Sequence, residues 1–278
     1  MNTTIAAMIA RQTLLALSTG ALRAIQGAVR LAAPALCRSR PRLTQDELDH
    51  ALVEHARWLE DRTCGRRADL AGSDLSGLDF GVDNPRQVVL RNADFTEADL
   101  SHVRGNDVNF NHASLHRTNL SHSHLKSPVF RCAILHEADC RHVVWGWPTR
   151  DYDLRSGPVA AEQQSVFMST FLSGSMFDHA RVRGYFHDCS FTSSSLVSAD
   201  FSQSQFGGDY SMSNSFREAK LIGTKFVLCR IASARFNQAT MENVDFLGSE
   251  VEPRIADHLR SRSVLNLSTH VENIIQPV

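Results

Sequence analysis

Histidine is the residue type whose spacing most suggests chemistry in this chain. His102, His122 and His142 stand 20 residues apart, and His116 and His136 repeat that interval. If the fold stacks them in a column, the imidazoles could ligate a transition metal or change charge together near neutral pH. No carboxylate or thiol can be placed to complete a metal site. The expectation is therefore no resident metal and no cofactor, with His102, His122 and His142 as the column to inspect. Cys37, Cys64, Cys132, Cys140, Cys189 and Cys229 form no C-x-x-C pair, which gives a zinc or redox site little support. No nucleotide-binding glycine loop, H-E-x-x-H or G-x-S-x-G occurs, and the many Ser, His and Asp residues are scattered. No catalytic residues are assigned and an enzyme is not expected.

Aromatic residues suggest recognition instead. Trp145, Trp147 and Tyr152, with Pro148 beside them, bring together half of the scarce Trp and Tyr of the chain. They fall in or beside 146–165, a stretch rich in Gly and Pro that follows no pattern and is expected to protrude. Exposed loop aromatics commonly anchor partners, so these three are the interaction candidates. The competing reading is that the tryptophans fold back and seal the break.

What must position all of these is a period of five. Leu70, Leu75, Phe80, Pro85, Leu90, Phe95, Leu100, Gly105 and Phe110 recur at every fifth position, and the residue two before each is mostly small or β-branched. Neither a helix nor a plain strand has that period, so a repeat architecture is required. The segments Ala68-Asp69-Leu70, Ser73-Asp74-Leu75, Ala93-Asp94-Phe95 and Ala98-Asp99-Leu100 carry the motif. They resemble the pentapeptide repeat family, which is chiefly known from bacteria. The resemblance implies an all-β solenoid, a right-handed quadrilateral β-helix with four pentapeptides per coil. It also implies that the central Leu or Phe and the small residue before it point inward. Fold is specified in this way and function is not.

The frame continues through Leu115, Leu120, Leu125, Phe130, Leu135, Cys140 and Trp145, breaks at 146–165, and is expected to resume at Phe171 and Met176. It then runs from Phe186 to Val251. Gly174, Cys189, Ser194 and Ala199 are among the expected small inward partners, and the cysteines read as core fillers. Arg181 and Ser211 fall at central positions and depart from the pattern. An unpaired buried guanidinium is costly, so a bulge or frame slip is expected near Ala180-Arg181-Val182. About eight or nine coils at roughly 4.8 Å each make a rod on the order of 40 Å long, filled with side chains. Residues 20 apart lie on one face of successive coils, which turns the histidines into ladders.

The ends follow other rules. Residues 1–43 contain no Asp or Glu and carry six arginines. Apolar runs there are interrupted by Arg11, Arg23 and Arg30, so a membrane-spanning helix is not expected. Four readings stay open for this segment: a helix packed on the rod, peripheral contact with an anionic membrane through 1–36, a secretion address like those of exported bacterial effectors, and a cleaved signal. Residues 44–65 form a capping helix, with Thr44-x-x-Glu47 as its capping box and Gly65 to stop it. Repeat blocks occupy 66–145 and 166–251. Residues 252–278 read as a C-terminal helical cap that closes the rod or pairs two copies as a homodimer.

A net charge of −1 with 21% charged residues describes no polyacidic or polybasic chain. The expected function is a non-catalytic scaffold for an unknown protein partner, in the bacterial cytoplasm or as an exported or membrane-associated effector. Direct nucleic-acid binding is not expected, because no basic stripe with interleaved aromatics is visible. The alternatives are a DNA mimic on a type II topoisomerase, as the resemblance to quinolone-resistance members implies, and a structural or metal-binding β-helix. Mimicry needs a strongly negative rod, whereas the acids here are interleaved with Arg and Lys.

Overall fold

A five-residue period closes into a square when each pentapeptide supplies one side. The computed structural model describes residues 41–81, 88–146, 164–208 and 213–267, and it is a parallel β-solenoid of that kind. Four columns of parallel pairings run along it. The first face starts Asp69, Asp94, Ser114, Ile134 and Phe171, and the second Asp74, Asp99, Asn119, Asp139 and Met176. On the third, Asp79, Arg104, His124, Val144 and Arg181 succeed one another, and the fourth begins Val89, Asn109, Val129 and Val166. These outward residues each precede an inward central residue.

The interior is continuous and aromatic. On the fourth face Phe110, Phe130, Phe167, Phe186 and Phe206 stack with ring centroids 5.2, 4.9, 4.7 and 4.8 Å apart. Phe191, Phe216 and Phe236 do the same on the first face at 4.9 and 5.0 Å. Coil spacing and ring thickness thus match, so a thin rod buries whole Phe side chains. Some inward hydroxyls are satisfied by carbonyls of the previous coil: Thr118 Oγ1 donates to Phe95 O at 2.7 Å and Thr224 Oγ1 to Leu196 O at 2.7 Å. The Asp or Asn before many central residues has a local role. Asp94, Asp99, Asp200 and Asp245 each accept a bond from the backbone N–H two residues on, at 2.9 to 3.0 Å. That is the capping of a turn, which explains the repeated acid without invoking chemistry.

Register is where sequence and structure part. Partners lie 25 apart for Asp69 and Asp94, but 20 apart from Val89 onward. The coil that includes Pro85 therefore holds five more residues than the next, and Pro85 lies outside the described residues. Across the interruption partners are 37 apart, Phe130 pairing with Phe167 and Ile134 with Phe171. Phe171 and Met176 are consequently not central. Phe171 is 56% exposed, while Phe167, Leu172, Phe177 and Val182 fill the core, with Thr170, Ser175 and Ala180 as their small inward partners. Gly174, expected inward, sits at a corner with φ 70°. The slip expected near Arg181 comes directly after Val182, where one side has only four residues before Phe186 and partners are 19 apart. Arg181 points outward. From Phe186 the expected frame holds, apart from a second coil with 25-residue offsets that includes Ser211, outside the described residues.

Two short helices flank the coils. The first, α1 (Gln45–Glu60), has the full capping box, Thr44 N donating to Glu47 Oε2 at 2.8 Å and Glu47 N to Thr44 Oγ1 at 3.3 Å. Its Leu48 and His55 are buried against the first coil, and Leu43 N bonds Asp74 O at 2.9 Å, adding a rung ahead of the repeats. Gly65 cannot carry a side chain: its φ is 70°, and a Cβ would lie 2.2 Å from Glu54 O. At the other end α2 (Pro253–Leu259) is capped by Glu252, which accepts from Arg254 N and Ile255 N. Val264 and Leu265, expected to belong to no repeat, instead pair with Val244 and Asp245 as a last rung. Val271, Ile274 and Ile275 lie outside the described residues, as do residues 1–40. No helix among the described residues is long and apolar enough to cross a membrane.

Candidate interaction surface

Most sides of the square end in a corner whose residue takes a left-handed backbone. His102, His122, His142 and His179 are the corner residues that follow the second face, with φ of 60, 59, 58 and 58°. His is one of the residue types enriched in that conformation, which by itself would allow a histidine here. It does not demand one, because Glu97, Arg117, Ser193 and Gln203 occupy equivalent corners with φ of 58, 55, 57 and 61°.

The four imidazoles form one stack. Centroids are 4.9, 4.7 and 5.1 Å apart and the rings lie within 6 to 9° of parallel. His102, His122 and His142 were legible as a column from their interval. His179 was not, because it follows His142 by 37 residues and the frame assumed around Phe171 put it at the wrong position. A metal ion lies in the plane of each imidazole that ligates it, about 2.0–2.1 Å from nitrogen. Parallel rings nearly 5 Å apart cannot both aim a lone pair at one ion. Accordingly, the described residues contain no group of three His, Cys, Asp or Glu side chains arranged to hold a metal.

Around the stack the charges are mostly committed. On the second face Asp139 takes a two-pronged bond from Arg141, at 2.9 and 2.6 Å. Asp178 accepts from Ser195 Oγ at 2.5 Å and Val197 N at 2.9 Å. Asp99 accepts from Ser101 N at 2.9 Å and from Asn119 Nδ2 at 3.0 Å. On the third face the column next to the stack is Arg104, His124, Val144 and Arg181. Burial lowers the pKa of His122, helped by its neighbours His142 and His102 and opposed by the charge of Asp139. Burial likewise lowers that of His124, with Arg104 and Arg181 adding to it. Both rings resist a proton until the pH falls below their ordinary range.

A second, shorter stack stands on the first face, His116 over His136 at 5.5 Å. Beside it Arg117 bridges Glu97 at 3.5 Å and Glu137 at 2.8 Å, with each partner roughly half exposed. Ion pairs so open to water add little stability.

The aromatic candidates separate. Trp145 is fully buried as a central residue, packed 5.1 Å from Phe130, its indole N–H donating to Ser123 Oγ at 2.9 Å. It is a core residue and cannot anchor a partner. Trp147 and Tyr152 lie outside the described residues. Nor are all cysteines core fillers: Cys140, Cys189 and Cys229 are buried, but Cys64 and Cys132 are exposed, and Cys37 lies outside the described residues. A cavity of about 240 Å³ near α2 is lined by Ser233, Glu252, Arg254 and His258 among others, and its Glu252 already serves as the helix cap.

Residues 89–126 match the family model of pentapeptide repeats, in eight copies. No curated protein matches the sequence. Solved structures that resemble it include full-length QnrB1, a plasmid-mediated fluoroquinolone resistance protein, at 13% identity and a TM-score of 0.47, over 70% of this chain and 96% of that one. HetL, a pentapeptide repeat protein involved in heterocyst differentiation regulation in the cyanobacterium Nostoc sp. strain PCC 7120, is 18% identical with a TM-score of 0.25, over 70% of this chain and 91% of its own. A pentapeptide repeat protein of the Arabidopsis thaliana thylakoid lumen is 14% identical with a TM-score of 0.20, over 73% and 83%. These likenesses concern fold alone. With residues 89–126 matched and the same five-residue register on either side of them, the chain has the pentapeptide-repeat β-solenoid fold.

Proposed function

We propose that this chain is a non-catalytic scaffold that binds a protein partner through the outer columns of its rod. The filled interior is the observation that carries the reading. Central residues from Leu75 to Phe246 are buried almost without exception, so the described coils offer no lumen for a substrate. Repeated acids such as Asp94, Asp99, Asp200 and Asp245 cap turns. What remains for function is an outer surface on which side chains are held in straight columns at a fixed pitch, the geometry that solenoids use for recognition. A photo-crosslinking residue placed in turn on each of the four columns of the full-length protein, in cells, tests this. Discrete adducts confined to one column support the scaffold, and no adduct from any column refutes it.

Export or membrane association rests on the sequence of residues 1–43, acid-free and carrying six arginines. A reporter fused to that segment reads it directly: retention of the reporter in the soluble cytoplasm removes the effector version. Mimicry of DNA on a type II topoisomerase is the second reading. Its requirement is a continuous negative face, and the third-face column Asp79, Arg104, His124, Val144, Arg181, Asp200, Lys225, Asp245 changes sign repeatedly instead. Inhibition of gyrase supercoiling by the purified protein would favour mimicry in spite of that column.

A further inference from the structure

The acid whose charge acts on the stack of four imidazoles is Asp139, which favours a proton on His122. Each proton the stack takes up adds a charge next to rings 4.7 to 5.1 Å away. The carboxylates nearest by register answer that charge only in part: Asp139 favours a proton on His122 but is itself tied to Arg141, and Asp178 is tied to Ser195 and Val197. On the other flank stand Arg104, His124 and Arg181, with Lys126 two residues beyond His124. Protonation of the stack therefore builds positive charge that Asp139 offsets only in part, and an external anion can neutralise the rest.

We propose that the corner carrying His102, His122, His142 and His179, with Arg104 and Arg181 beside it, is a proton-gated docking edge for a finite acidic surface on a protein partner. This rests on the reading of the rod as a binding scaffold. The choice of a protein follows from the ends of the patch. In the third-face column Asp79 precedes Arg104 and Asp200 follows Arg181, so the basic stretch is closed by an acid at each end. From Asp79 to Asp200 is five coil steps, roughly 24 Å at about 4.8 Å each. A membrane plane or a nucleic-acid backbone continues past both ends and meets those acids. A bounded acidic patch does not. The gate is the protonation of the stack: without it the edge has only its arginines and Lys126, and each proton taken up adds a charge to the same line.

The probe is a fluorescent octa-aspartate peptide, which spans roughly 26 Å when extended at about 3.3 Å per residue. Its binding to the full-length protein is measured by anisotropy at pH 7.5 and pH 5.5 at one ionic strength. Affinity is expected to rise at least tenfold on acidification, about 1.4 kcal/mol. The double variant His122→Gln, His142→Gln should lose most of that rise while its circular dichroism is unchanged, since glutamine already occupies corners at Gln203 and Gln238 with φ of 61 and 58°. Arg104→Gln should weaken binding at both pH values. Arginines in residues 1–43 do not titrate, so binding there is the same at both pH values and in the histidine variant. Affinity that ignores pH, an equal rise in the double variant, or tighter binding at pH 5.5 to phosphatidylserine vesicles or a 20-nucleotide single strand than to octa-aspartate overturns the proposal. In each of those cases the scaffold reading keeps its own test, the crosslinking map.

Discussion

Two phenylalanines six residues apart provide a test of register in which the chemistry of the change is held constant. Phe177 is 1% exposed and its ring faces Trp145, Phe191 and Phe201 at 6.1, 5.9 and 6.4 Å, whereas Phe171 is 56% exposed. Truncating Phe177 to alanine leaves a hole inside a solid stack, for which core Phe→Ala changes cost about 3–5 kcal/mol. For Phe171 the covered part is what counts. A fully enclosed Phe buries about 150–200 Å², so roughly 80 Å² is lost, worth at most about 2 kcal/mol at ~25 cal/mol/Å² and less once the compactness of the unfolded chain is allowed for. Phe177→Ala should therefore lower stability by about 2 kcal/mol more than Phe171→Ala. Urea unfolding of the two variants measures this, provided the slope of the transition is unchanged so that midpoints compare stability alone. The frame with Phe171 and Met176 at the centre demands the reverse order. A cost for Phe171→Ala equal to or above that for Phe177→Ala would sink the register described here.

Three further outcomes follow from buried polar groups. His55 accepts from Ala68 N–H through Nδ1 at 3.0 Å and bonds Arg91 O through Nε2 at 3.0 Å, which requires a neutral ring, and burial lowers its pKa. Its folded pKa lies below the unfolded value of about 6.5, so the stability it contributes is present above that pH and is lost as pH falls through the folded pKa; His55→Gln should flatten stability against pH in that window. Asn214 donates from Nδ2 to Phe186 O, Gly207 O and Ser233 O at 3.2, 2.9 and 3.0 Å and accepts from Cys189 N at 3.1 Å. Asn214→Asp keeps the shape, removes those donors and sets an acid against carbonyls, and should cost several kcal/mol in thermal or urea unfolding, on the order of 3 or more. Burial pushes the thiols of Cys189 and Cys229 up to about 12 and raises that of Cys140. At pH 8 an alkylating reagent should modify Cys64 and Cys132 in the native protein and reach the other three only after unfolding, as peptide mapping by mass spectrometry would read.

Most of the fold was legible because a five-residue period has few physical explanations. The central residues from Leu90 to Trp145 and from Phe186 to Phe246 were placed correctly by counting, since each is buried by its own side of the square. Between them counting failed for a reason that the residues themselves state. Phe171 and Met176 are apolar and neighbour Leu172 and Phe177, so two frames looked equally hydrophobic. Arg181 at a central position was the signal that the frame was wrong throughout that block, and the small residues Thr170, Ser175 and Ala180 pointed to the same correction. Shifting the frame by one turns Arg181 outward and places His179 at a corner, which would have completed the histidine stack. Trp145 was read two ways, as a central residue and as a loop anchor, and burial decides for the first. Nothing in a single sequence states that Val264 and Leu265 add a rung, because that depends on how far α2 carries the chain.

The interval between partners changes along the rod from 25 to 20, then to 37, 19, 20, 25 and again 20, yet each column stays paired coil to coil. This is possible because a coil touches only its neighbours, so residues added between two sides need only leave and return at the same rung. Spatial order, then, outlasts sequence interval. His142 and His179 are 37 apart and still stack at 5.1 Å and 9°, continuing the geometry set by the 20-residue spacing before them. Two histidines at a repeat interval are what copying a repeat would leave behind. A fourth that regains the corner after the interval has changed is not explained by copying, and left-handed corners elsewhere on the rod hold Glu, Arg, Ser and Gln. That is the physical ground for assigning the binding edge to this stack and not to the pair His116 and His136, which keeps to the simple interval and has Glu137, with Arg117, already beside it.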